Sequence, residues 1–162
     1  MKLILLSLFF PALSHAQVPS DGANTAEWFI ANFEHVKTVL KSKNDPYLEP
    51  YIDAIGNLYK TSDGGMFLEV SPSIGIALTY HPEITLKWFQ KHPDVFEDCL
   101  KKVDVSLFTD FQGTKAAELA RDKTRLMQSL RKFEAKATDQ QLRKASKRIR
   151  KVVEPLKIRI VD

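Results

Sequence analysis

The sequence predicts an all-α fold, a compact single domain of about six to seven helices set as an irregular helical bundle or a short α-solenoid-like stack. Three observations predict it. Apolar residues recur at three- and four-residue spacing in one segment after another, which is the helix period. Proline, glycine and Ser/Thr/Asp positions cut these segments into short lengths and supply caps. The single cysteine, Cys99, permits no intramolecular disulfide, so packing alone has to hold the core.

The chain opens with an export pattern. Met1-Lys2 gives a positive start, Leu3 to Phe10 an apolar run, and Ser14-His15-Ala16 a small-residue cleavage site before Gln17. The run is far short of the ~20 residues that span a bilayer. Gln17 and not a cysteine stands just after the site, so no thiol is there to carry a lipid. Residues 1–16 are therefore expected to be a cleaved secretory signal, and the protein to be periplasmic or secreted without an integral membrane anchor. Its removal leaves about 146 residues, the usual size of one domain. A flexible arm is expected at 17–23, a helical domain at 24–155 and an extended tail at 156–162.

Asn24 or Thr25 can cap a first helix to Lys41, with Phe29, Ile30, Phe33, Val36 and Leu40 on one stripe. Asp45-Pro46 suits the start of a second helix to Lys60, with Pro50 within its first turn or so. Thr61 to Gly65 is a stop signal. Met66 to Val70 is an apolar run whose periodicity does not separate strand from buried helix, and Ser71-Pro72 reads as the start of a short helix through Tyr80. His81-Pro82 and His92-Pro93 each open a helix, Pro82 to Lys91 and Pro93 to Val103. Cys99 falls in the stripe of Val95, Phe96, Leu100 and Val103, which predicts a buried structural thiol.

Thr114 is expected to cap the longest helix, to Lys136, with Ala116, Leu119, Ala120, Leu126, Met127, Leu130 and Phe133 inward. Thr138 to Gln141 has capping-box form before a last helix to Val153. Glu154-Pro155 ends it, because the residue before proline disfavours helical backbone. Leu156 to Ile160 alternates apolar and basic residues, as a tail laid on the body or a strand offered to a partner. Tetratricopeptide and ankyrin patterns are absent.

No reaction motif stands out. His35, His81 and His92 form no metal-ligand pair, and no cofactor or metal is expected. Ser71 to Gly75 lacks the nucleophile elbow, and Asp63-Gly64-Gly65 lacks the phosphate-loop ending. Glu97, Asp98, Asp104 and Asp110 could serve a glycosidase only if a cleft united them. His81 and His92 cap helices, unless both face one cleft beside Glu83 and Asp94.

Binding candidates are Trp28 and Trp88, at the edges of their stripes, and the basic set Arg143, Lys144, Lys147, Arg148, Arg150 and Lys151. Tyr47, Tyr51, Tyr59 and Tyr80 are further aromatics that fill either a core or an interface. Charge is divided along the chain. Residues 17–113 hold 8 Lys/Arg against 14 Asp/Glu, and residues 114–162 hold 15 against 6. Such a dipole suits an acidic partner, or else the basic residues are the solvated faces of two helices. An exported protein has little access to nucleic acid.

The resulting expectation is a non-catalytic exported helical protein that binds another exported or envelope protein, in the manner of an inhibitor or immunity protein. Binding of anionic envelope components through the basic last helix is the alternative. A wall or glycan hydrolase using unrecognised carboxylates is a further one.

Overall fold

The computed structural model of the chain describes residues 25–161. The signal, its cleavage site and the arm expected over 1–23 lie outside the described residues. Thr25 opens α1 (Ala26–Lys41), its hydroxyl accepting from the Trp28 N–H at 3.2 Å. That oxygen satisfies one of the free N–H groups every helix start leaves. α2 (Leu48–Thr61) begins later than the Asp45-Pro46 signal suggests. Asp45 accepts from the Tyr47 N–H at 2.9 Å and closes a turn, and Pro46 sits in that turn instead of the first helical position.

The largest departure from expectation is α3 (Gly64–Tyr80), one helix that takes in both the Met66–Val70 run and the segment after Ser71-Pro72. Pro72 lies inside it, where an interior proline costs about 3 kcal/mol. Phe67, Val70, Ile74, Ala77 and Leu78 of this helix are all buried. Each large apolar side chain so buried contributes roughly 1.5–3 kcal/mol, so packing outweighs the proline. α3 is the centre of the molecule, in contact with α1, α2, α4 (Pro82–Lys91), α5 (Pro93–Leu107) and α6 (Ala116–Lys136). A helix covered on most sides has no polar stripe, which is why its periodicity is weak.

α4 and α5 open on Pro82 and Pro93 as expected, but α5 runs a turn beyond Val103. Cys99 is buried and free. α6 is capped differently from the sequence reading: its start is served by Asp110, not Thr114. α7 (Gln140–Val153) is capped by Asp139, not Thr138, through the N–H groups of Gln141 and Leu142 at 2.7 and 3.1 Å. Burial on α6 begins only at Leu126; Ala120, expected inward, is exposed, and Ala116 and Leu119 are half-buried.

The tail lies on its own body. β2 (Arg159–Ile160) pairs in parallel with β1 (Thr109–Asp110), with Thr109 opposite Arg159 and Asp110 opposite Ile160. Leu156 and Ile158 pack against the core. The seven helices among the described residues form a single all-α domain. With α3 as hub and α7 laid over α4, α5 and α6, the arrangement is the irregular bundle and not the stack, in which each helix would touch mainly its sequence neighbours.

Candidate functional site

Trp88 is a core side chain in this fold. It is buried, its Nε1 donates to Asp53 Oδ1 at 3.1 Å, and its ring lies against Gly56. A Cβ at Gly56 would stand 2.4 Å from that ring, so only glycine allows α2 and α4 to meet there. Trp28 is half-buried and packs on Tyr51 at 5.8 Å between ring centres. Tyr51 and Tyr59 are buried, while Tyr47 and Tyr80 are exposed. Most of the aromatics thus fill the core, while the rings of Tyr47, Tyr80 and Phe111 lie at the surface.

His81 and His92 do not share a cleft. His92 stacks on Trp88 at 4.3 Å. Burial pushes the His81 imidazole below its ordinary value, with the carbonyls of Ser42 and Leu40 opposing. Its Nε2 is buried without a partner among the described residues. The acids are also dispersed. Glu97 pairs with Arg148, whose hydrogen bonds hold its carboxyl below the usual range. Asp98 pairs with Lys102 at 2.7 Å.

Asp110 is buried at the start of α6, accepting from Gln112 N–H at 3.0 Å and Lys115 N–H at 2.6 Å. Desolvation opposes its charge, but the backbone N–H groups of Gln112, Lys115, Gly113 and Ala116 outweigh it and hold the carboxyl low. Among the described residues, no group of three or more His, Cys, Asp or Glu is placed to hold a metal ion. Burial pushes the Cys99 thiol up to about 11, the opposite of an activated nucleophile. The Tyr59 hydroxyl is buried beside that thiol, in a contact short of full hydrogen-bond geometry.

The basic set on α7 divides in two. Arg148 grips Glu97 of α5 with two hydrogen bonds of 2.6 and 2.7 Å and stacks over Phe96. Arg150 reaches Glu134 of α6 at 3.2 and 3.3 Å, and Glu134 also accepts from the Ser146 hydroxyl at 3.1 Å. Arg143 donates to the Ala137 carbonyl at the end of α6. These three arginines are held by partners within the chain. Lys144, Lys147 and Lys151 are exposed and have no ion pair among the described residues. Their spacing puts them on one narrow stripe, opposite the buried Leu142, Ile149 and Val153.

Nothing in the sequence marked Asp110 as serving the start of α6, because the Lys115 N–H it accepts there lies five residues on. Nor could spacing along α7 tell a clamp from a free charge. A second surface feature is a shallow depression of about 240 Å³ between α3 and α6, lined by Thr79, Tyr80, Arg125, Gln128, Ser129 and Lys132. Arg125 there pairs with Asp122 at 3.1 Å, on its own helix. No helix among the described residues is long and apolar enough to cross a membrane. Comparison with protein-family models, with curated proteins and with solved structures finds no match to this chain.

Proposed function

We propose that this chain is an exported, non-catalytic helical protein that binds an acidic partner protein, and that the lysine stripe of α7 makes the contact. The observation that carries the reading is the division of the basic set: with the arginines held by internal partners, Lys144, Lys147 and Lys151 keep their charge for another molecule. Lysine suits that task, being a hydrated point charge on a flexible stem. A protein partner is favoured over lipid by the packing of α7. Its apolar side lies in the core and has nothing to insert into a bilayer. Three lysines near an anionic surface are worth about 1 kcal/mol each, too little to hold the protein there alone.

The test uses the exported chain and a variant with Lys144, Lys147 and Lys151 changed to Gln. Both are presented to envelope proteins across ionic strength. An acidic protein held by the parent in a salt-dependent way, and lost by the variant, is the expected result. Equal retention by both would sink the reading. Salt-dependent binding of both, or of the parent alone, to anionic vesicles or purified polyanion would reassign the surface to envelope components. Export is tested by the intact mass of envelope material: a chain starting at Gln17 is expected, and a species retaining Met1 would overturn it.

A further inference from the structure

The geometry points to a second contact surface, independent of the lysine stripe: the free edge of β2 accepts an extended segment of a partner protein whose side chains alternate acidic and apolar. In the β1–β2 pair, Arg159 N–H donates to the Phe108 carbonyl at 2.9 Å and Val161 N–H to the Asp110 carbonyl at 3.1 Å. Parallel pairing spends the N–H and C=O groups of alternate residues, so those of Ile158 and Ile160 face away from β1. Among the described residues no backbone group meets them there. An edge of this kind is the template that β-strand addition uses.

The side chains around the edge define the occupant. Ile160 is 52% exposed and Val161 40%. Lys157 and Arg159 stand exposed on the face opposite Ile160 and have no ion pair among the described residues. A second copy of β2 would set these cations against each other, and like charges directly opposite destabilise a pair. An acidic strand meets them with the opposite sign, while its apolar residues, on the other face, cover Ile160. The occupant is therefore a different chain, acidic and extended.

The probe is a synthetic peptide of alternating Glu and Val, added to the full protein, with amide hydrogen exchange read at Ile158 and Ile160. Exchange there is expected to be fast in the free protein and to slow by an order of magnitude with saturating peptide. The same peptide N-methylated at every residue should have no such effect, since it lacks the donors on both edges. Lys157→Glu with Arg159→Glu should abolish the response and transfer it to a Lys-Val peptide. Slow exchange at Ile160 in the free protein would show the edge already covered by its own chain and overturn the inference. So would an unchanged rate, or equal slowing by the N-methylated peptide. The Lys144, Lys147 and Lys151 variant should respond like the parent, so this surface and the stripe fail separately.

Discussion

Gly56 and Cys99 show how much one side chain decides here. A methyl at Gly56 enters the Trp88 ring, and neither α2 nor α4 can withdraw without opening the core around α3. Gly56→Ala is expected to destabilise by about 1–3 kcal/mol or more, as overpacking does. Thermal melting should show the loss, and Trp88→Leu in the same chain should recover part of it. An unchanged melting temperature would mean the ring moves freely. At Cys99 the neighbour matters. Burying a hydroxyl without a partner costs roughly 1–3 kcal/mol, but Cys99→Ser places it beside the Tyr59 hydroxyl. The expected loss is at the low end, and it should grow when Tyr59→Phe removes the partner. A double-mutant cycle that finds the two changes additive would refute that pairing. Native thiol labelling should be slow, since the group is both buried and hard to ionise.

At the scale of elements, helix ends carry the pH response. Asp110 is ionised in the fold more readily than in the unfolded chain, because backbone N–H groups of the α6 start bind its charge. A group with a lowered folded pKa contributes stability that is present above its unfolded value, about 3.9, and lost as pH falls through the folded one. Asp110→Asn is therefore expected to lower the melting temperature at neutral pH and to flatten its fall below about pH 4. Denaturant unfolding of both proteins against pH checks this; parallel curves would remove Asp110 from the acid response. Arg150 gives the matching test on α7. Glu134 has only 11% of its side chain exposed, and Arg150→Gln leaves that carboxylate without its main counter-charge. A lower melting temperature is expected, partly restored by Glu134→Gln.

For the whole molecule the question is which charges belong to the fold and which face outward. Neutralising Lys144, Lys147 and Lys151 should leave the melting temperature nearly unchanged, because exposed charges contribute little to folding. It should remove binding and its salt dependence together. Neutralising Arg143, Lys147 and Arg150 should lower stability, because Arg143 holds the α6 end and Arg150 holds Glu134. The sequence presents all six basic residues of α7 as one face, so this second triple looks equally harmless there. Melting curves of the two triples, measured side by side, distinguish a solvated face from a clamped one. Equal curves would contradict the division.

What the sequence by itself determined is what neighbours three or four residues apart can express. The helix period gave the all-α class, Thr25 the start of α1, and Pro82 and Pro93 the starts of α4 and α5. The stripe around Cys99 placed the thiol inside. Only tertiary structure decided the rest, because the deciding partners are distant in the chain. α3 runs through Pro72 because five helices cover it, which no local signal displays. Trp88 is core because Asp53 and Gly56 of α2 receive it. Arg148 is a clamp because Glu97 lies 51 residues away in sequence yet 2.6 Å away in space. Local propensity selects the elements, whereas burial and charge pairing, which act through space, settle which side chains remain free to meet another molecule.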